Sequence, residues 1–273
     1  MKPGSATPSP SNIFKGTAQY YAQYRRPYSK QLFEDIVSYY RLGGKGRLLD
    51  LGCGTGELTI PLASHFQNAI GLDPSSDMLA VAKSKADEQR VLNITWTQGK
   101  AEDLDEMYGP LHLTIAADSF HWMNQALVFE KVYGLTEKGG GMAIIGDAST
   151  AYDEDKAEDW KAKRKEVISN YLGEDRRAGD HLYKDFIPEE RPFKELIAES
   201  AFRTFDLKVY PYTTERTIDE MIGFLYSTSY AAKRLFGEHA DEFEHELRHE
   251  LLQLVPSNKF IEGGTVNVYL LRK

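Results

Sequence analysis

The sequence predicts an α/β fold built on a doubly wound, mostly parallel sheet, and three observations support it. Strand-length apolar runs alternate with runs of helical period from Arg47 onward. The first such strand ends in a glycine-rich loop, Gly52-Cys-Gly-Thr-Gly56, that leads into a helix. The chain of 273 residues closes on two more strand-like runs, which extends five alternating strands to seven, the last two forming an antiparallel terminal hairpin. Alternation at such short intervals requires βαβ units, because a parallel neighbour is reached only by a crossover, and that crossover is right-handed.

Each element has its own local cause. The first decapeptide is rich in Pro, Ser and Gly and has no apolar stretch, so residues 1–13 read as a disordered lead-in rather than a signal peptide. Leu32, Phe33, Ile36, Val37 and Tyr40 recur at helical spacing after Ser29, a helix N-cap residue. Strands are expected over residues 47–51, 68–72, 94–97, 111–115 and 142–145, with helices at 58–66, 77–88 and 125–135 between them. Beyond Gly146 the chain is densely charged, with anchors at Trp160, Val167, Ile168, Tyr171 and Leu172, and reads as cap helices. Pro192 opens a helix through Leu196 and Ile197, and residues 204–210 alternate as a strand. Thr217 and Glu220 have capping-box spacing before Met221, Ile222, Leu225 and Tyr226. A helix over 241–254 carries Phe243, Leu247 and Leu251, and residues 265–271 form the last strand. The expected organisation is a lead-in (1–13), N-terminal lid helices (14–45), a ligand-binding core (46–148), cap and linking helices (149–203) and two final strands with inserted cap helices (204–273).

Composition excludes several function classes. With 33 Lys and Arg against 41 Asp and Glu, a formal charge of −8, the chain lacks the basic footprint of a nucleic-acid binder. No run approaches the roughly 20 apolar residues of a membrane span, so no membrane partner is expected. The lone Cys53 cannot form an intrachain disulfide, which fits a reducing, cytoplasmic setting. A small-molecule partner remains, and the oligomeric state is not legible.

The chemistry concentrates at the first strand-to-helix turn, where doubly wound sheets bind ligands at the carboxyl ends of their strands. Glycines there let the backbone approach a ligand that a Cβ would exclude. Asp73 ends the second strand, 17 residues past Gly56, where a carboxylate accepts both hydroxyls of a ribose. A dinucleotide fingerprint places its third glycine where this chain has Glu57, an acid that repels a pyrophosphate and suits a positively charged centre. No Gly-x-x-x-x-Gly-Lys-Ser/Thr loop is present.

Leu49-Asp-Leu-Gly-Cys-Gly-Thr-Gly56 with Gly71-Leu-Asp-Pro-Ser75 resembles the class I S-adenosylmethionine-dependent methyltransferases. Gly99-Lys-Ala-Glu-Asp103 and Ala116-Ala-Asp-Ser-Phe-His-Trp122 extend the resemblance, and Tyr20-Tyr-Ala-Gln-Tyr-Arg-Arg-Pro-Tyr28 is similar to the lid of the small-molecule branch that includes trans-aconitate methyltransferases. The resemblance implies a Rossmann-like fold and S-adenosylmethionine as cofactor, with S-adenosylhomocysteine as product. It implies that Asp50, Gly52 and Gly54 line the methionine and ribose portion, that Asp73 holds the ribose, that Ala101 and Glu102 border the adenine, and that Cys53, Gly56 and Pro74 belong to the same cofactor site. Ala117 and Asp118 would lie near the methionine end. Met78 is either an adenine contact or core, and Arg25 or Arg26 of the lid suits the methionine carboxylate. Tyr20 or a neighbouring tyrosine would close over the sulfonium.

Methyl transfer is an in-line displacement, so holding nucleophile and methyl in line is the protein's main task. An alcohol or amine must also lose a proton, whereas a carboxylate need not; His121 is either the general base or, with Trp122, a wall of the pocket. Tyr21, Tyr171, Tyr226 and Tyr230 are candidates for the acceptor pocket, with core packing as the other reading of their spacing. Lys233 and Arg234, or Arg176 and Arg177, either receive an anionic substrate or are solvated. O-methylation of a carboxylate or hydroxyl is the first expectation; N-, S- or C-methylation, or a cofactor-binding scaffold without turnover, are the alternatives. His245-Glu-Leu-Arg-His249 matches a zinc-protease pattern, but at about 100° per residue both histidines point away from the Phe243, Leu247, Leu251 stripe, so no metal is expected.

Overall fold

The computed structural model describes residues 12–147, 159–186 and 191–273. Seven strands form one sheet: β1 (Arg47–Leu51), β2 (Asn68–Asp73), β3 (Ile94–Gln98), β4 (Leu111–Ala117), β5 (Thr136–Asp147), β6 (Asp206–Arg216) and β7 (Phe260–Arg272). Their order is β3-β2-β1-β4-β5-β7-β6. β1 pairs in parallel with β2 and with β4, and β5 continues the parallel set beside β4. β7 runs antiparallel to β5, from Gly141 opposite Arg272 to Asp147 opposite Val266. The strand order therefore reverses at β1 and β4, the place where such sheets open a crevice at their carboxyl ends.

The sheet is covered on both faces, and neighbouring residues of one strand serve opposite layers. Leu48 joins Leu113, Ile115 and the helix residues Leu32, Ile36 and Tyr40, whereas Leu49 and Leu51 join Ala116, Phe120, Phe129 and Val132. This period-two division explains why β1 reads as a continuous apolar run instead of an alternating one. Ser29 caps the helix Lys30–Tyr40 by accepting the Leu32 N–H at 3.2 Å.

The chain divides into two compact units. The core unit holds residues from Pro27 through β5, 191–212 and Gly264–Lys273; the helical unit holds residues up to Arg26, the helix Asp159–Leu172 with the segment after it, and Thr213–Gly263. The helical unit has its own interior, in which Trp160, Val167, Met221, Leu225, Phe236, Phe243 and Leu247 pack together. Its helix Ala18–Tyr24 packs Tyr24 against Gly223, where an added Cβ would lie 2.4 Å from the Tyr24 ring. Thr217 and Glu220 form the expected capping box.

Several boundaries differ from expectation. Most of the expected lead-in lies outside the described residues, but Ile13 is buried and the Asn12 carbonyl accepts from Arg234 at 3.0 Å, so both belong to the fold. Part of the charged stretch, residues 148–158, also lies outside the described residues. β5 begins at Thr136 and takes in the glycine run, because a Cβ on Gly141 would meet the Leu271 carbonyl of β7 at 1.9 Å. The stretch after the glycine loop is α-helical only over Thr59–Leu62 and continues as a 3₁₀ turn, Ala63–His65. Pro192 caps rather than begins its helix, which runs Phe193–Glu199. Among the described residues no helix is long and apolar enough to cross a membrane.

Candidate functional site

Three glycines of the first turn are left-handed: Gly52 (φ +66°), Gly54 (φ +55°) and Gly56 (φ +85°). At Gly52 a Cβ would also lie 2.5 Å from the Cβ of Ser119, whose hydroxyl donates to the Leu51 carbonyl at 2.6 Å. This contact ties the ends of β1 and β4 with no space for a side chain. The Gly52 and Cys53 N–H groups donate to the Leu72 carbonyl at 2.8 and 3.1 Å, which ties the same turn to β2.

Asp73 closes β2 with one carboxylate oxygen on this turn and the other on the segment that follows β2. One accepts the Gly54 N–H at 2.9 Å and the other the Ser75 N–H at 2.8 Å. Burial pushes its carboxyl up from the ordinary range, and those two N–H groups pull against that shift. Asp50 accepts the Thr59 hydroxyl at 2.5 Å and is pushed up to about 7, chiefly by burial and further by the charges of Asp73 and Glu57. Glu57 corrects one expectation: its carboxylate is held by Lys85 at 2.8 Å and Thr55 at 2.5 Å, so its charge is offset within the chain. Of the other two acids at the turn, Asp50 is the more strongly raised, and Asp73 is the one held by two N–H groups. Cys53 is buried and its thiol is pushed well up by burial, which makes it an inert filler rather than a nucleophile.

The neighbouring strand ends complete this face of the core unit. The Gln98 amide donates to the Pro74 carbonyl at 3.1 Å and Gly99 N–H to that of Asp73 at 3.2 Å. Ala101 is buried, and the Glu102 carboxylate accepts the Asn124 N–H at 2.7 Å. Met78 is buried in the first turn of the helix Ser76–Glu88. After Ala117, Asp118 is left-handed (φ +50°) and accepts the Tyr28 hydroxyl at 3.1 Å. Phe120, anchored on Phe129 with ring centroids 4.9 Å apart, begins a 3₁₀ turn that half-buries His121 and Trp122, their rings 4.9 Å apart. Sequence reasoning missed Tyr28, Ser119 and Lys85. Their partners lie 90, 68 and 28 positions away, so no local pattern announces them.

The remaining expected site residues belong to the helical unit. Tyr20 stacks on Tyr24 at 6.3 Å and meets Tyr226 edge-on at 5.3 Å, while Arg25 lies over Tyr21 and donates to the Ser227 hydroxyl at 2.9 Å. Arg26 and Tyr230 are half-buried. Tyr226 is 1% exposed with its hydroxyl on Glu244 at 2.9 Å, so it is interior packing and not the wall of an open pocket. Tyr171 donates to Glu246 at 2.8 Å and packs on Phe243. Lys233 pairs with Glu244 and Arg234 with Asp180, so neither is left to receive an anion, while exposed Arg176 stacks over Tyr183 at 3.8 Å. His245 and His249 are exposed and Phe243, Leu247 and Leu251 buried, as the helical phase requires. Among the described residues no group of three or more His, Cys, Asp or Glu is arranged to hold a metal ion.

Comparison with known proteins agrees with this geometry. Residues 48–140 match the family described as a methyltransferase domain. The chain is 31% identical over 127 residues to a Saccharomyces cerevisiae protein named as a probable S-adenosylmethionine-dependent methyltransferase, covering 46% of this chain and 43% of that one. A Dictyostelium discoideum protein provisionally named a methyltransferase is 26% identical over 235 residues, 84% of this chain and 82% of its own. The trans-aconitate 2-methyltransferase of Deinococcus radiodurans is 34% identical over 101 residues, 36% of each chain. The match thus spans less than half the length of the yeast and Deinococcus relatives. In fold, the chain is similar to a Geobacter sulfurreducens S-adenosylmethionine-dependent methyltransferase solved with S-adenosylhomocysteine, with a TM-score of 0.53, 19% identity and coverage of 95% of this chain and 98% of that one. The fold is the Rossmann-like one of class I methyltransferases.

Proposed function

We propose that the protein is an S-adenosylmethionine-dependent methyltransferase acting on an oxygen, carboxylate or hydroxyl, of a small molecule. The observation that carries this reading is Asp73 held by the Gly54 and Ser75 N–H groups beside three left-handed glycines. Each oxygen of that carboxylate accepts one N–H and keeps acceptor capacity for a ribose hydroxyl. The carboxyls of Asp50 and Asp73 oppose a phosphate and favour a cationic ligand, so the residues fit the cofactor. When bound, S-adenosylmethionine supplies an electrophilic methyl group on a positively charged sulfur. Asp50, the 52–56 turn, Asp73, Pro74, Met78, Ala101, Glu102 and Ala117 would border it. His121 and Trp122 act as a wall that orients the acceptor, and a carboxylate acceptor needs no base. The Deinococcus relative, named for a carboxylic-acid acceptor, supports the carboxylate arm.

The test is thermal unfolding with S-adenosylhomocysteine at about 100 times its dissociation constant. Selective binding adds about 2.7 kcal/mol, a rise of roughly 5 to 10 °C. A rise in the wild type that falls by about half or more in Asp73→Ala, with release of S-adenosylhomocysteine in the presence of carboxylic acids, supports the reading. No rise in either protein removes it.

A further inference from the structure

Asp50 interrupts an apolar strand. By the period of two its carboxylate lies on the layer of Leu48, where Leu58 and Leu62 also pack. It is 2% exposed, and Thr59, nine residues on, is 0% exposed. The Thr59 hydroxyl donates to Asp50 Oδ2 at 2.5 Å. Thr59 is the first residue of the helix Thr59–Leu62, and Leu58 before it supplies no side-chain cap. An N–H at that position has no partner within the helix, and that of Thr59 also favours the ionised Asp50.

The charges around Asp50 oppose its ionisation. Asp73 at the end of β2 and Glu57 in the turn both push its carboxyl up, and Lys85 is paired with Glu57 at 2.8 Å. The residues opposite Asp50 on β2 and β4, Gly71 and Ile115, carry no charge. Asp118, just past β4, accepts the Tyr28 hydroxyl, and burial keeps the Cys53 thiol neutral. Among the described residues no Lys, Arg or His pairs with Asp50. Within the fold, Thr59 is therefore the residue that favours the charged form against burial and two neighbouring acids. A charge in a low-dielectric interior acts over a longer range than one in water, so Asp50 can influence a ligand at the turn without touching it.

We propose that Thr59 is a positioning residue for Asp50: it keeps that carboxylate charged and in place, and so makes the site favour a cationic ligand over a neutral one of nearly the same shape. The proposal rests on the methyltransferase reading and deepens it. S-adenosylmethionine carries a positive sulfur and S-adenosylhomocysteine a neutral one, so the two differ by one methyl group and one charge. An ionised Asp50 strengthens binding of the first and leaves that of the second nearly unchanged. The site thereby prefers the methyl donor to its demethylated product.

Calorimetric titration of the full chain with each compound, from pH 6 to 8, tests it in the wild type, Thr59→Val, Thr59→Ser and Asp50→Asn. Asp50→Asn cannot ionise at that position and reports the ligands' own pH trend. The wild-type preference for S-adenosylmethionine should exceed that of Asp50→Asn by a margin that grows as pH rises through about 7, where Asp50 ionises. Loss of a hydrogen bond to the charged form moves that rise up by about one pH unit or more, so Thr59→Val should lower the preference at pH 7 by about fivefold. Thr59→Ser, which keeps a hydroxyl, should restore it. Thr59→Ala should show the same loss and stands in where Thr59→Val does not fold.

A wild-type preference that follows Asp50→Asn at every pH, or equals that of Thr59→Val, overturns the proposal. Equal weakening of both compounds in Thr59→Val also overturns it, since a merely structural hydroxyl would act on both alike. A wild type that binds neither compound removes the methyltransferase reading and this proposal with it. Binding of both, with a preference insensitive to Thr59, removes the proposal alone.

Discussion

The two buried acids of the glycine turn find their partners close by in the chain, whereas several arginines and tyrosines of the helical unit find theirs far along it. Around the turn, Asp73 reaches Ser75 and Gly54 across 2 and 19 positions, Asp50 reaches Thr59 across 9, and Thr55 reaches Glu57 across 2. In the helical unit, Arg25 reaches Ser227 across 202 positions, Arg164 reaches Glu262 across 98, and Tyr171 reaches Glu246 across 75. A site closed by nearby residues leaves a pattern of fixed spacing. One closed by distant residues leaves scattered charges, each of which resembles ordinary surface.

Four measurements test that contrast, and the greatest change is expected in the helical unit. Phe243 is 0% exposed within its interior, so Phe243→Ala should cost about 3 to 5 kcal/mol in denaturant unfolding; a variant as stable as the wild type would deny that unit a packed core of its own. The second concerns Asp50, whose folded carboxyl is pushed up to about 7 from 3.8. A raised acid holds its proton in the folded state, so its contribution is fully present below about pH 4, falls as pH rises through about 7 and is flat above. Asp50→Asn should flatten that fall, by at most about 4 kcal/mol at roughly 1.36 kcal/mol per unit, in unfolding measured from pH 4 to 8. A slope unchanged in the variant would show that Asp50 ionises normally.

Third, Asp73→Ala should weaken S-adenosylhomocysteine by about 1.5 to 3 kcal/mol in calorimetry, since hydrogen bonds to a charged acceptor are lost. Affinity equal to the wild type would remove Asp73 from the ligand. The smallest effect is expected at Lys85, which pairs with Glu57 while both side chains are partly exposed. Lys85→Met should change stability by less than about 1 kcal/mol. A larger loss would mean that Glu57 needs its counter-charge to keep the turn formed.

The legible part of the site coincides with the local part of the fold. Gly52, Gly54, Gly56 and Asp73 were readable because a strand-to-helix turn needs left-handed residues and an acid at a fixed offset. Ser119 was not, although it sets the space over Gly52, because its role depends on β4 lying beside β1. Glu57 was read from its position alone, and the salt bridge from Lys85, 28 positions on, changed its meaning. Tyr226 and Lys233 were read as pocket or anion groups; both converge on Glu244, which no spacing rule connects to them.

What the sequence determined by itself was the alternation of strands and helices, the seven-stranded sheet and the place of its ligand turn, because period, capping and glycine conformation act within a few residues. What the tertiary structure alone decided was which charges are neutralised and which are not. Asp180 goes to Arg234, Glu262 to two arginines, and the buried Arg177 Nε has no partner among the described residues. Pairing of charges depends on distance in space, and residues far apart in the chain acquire that distance only when the fold closes.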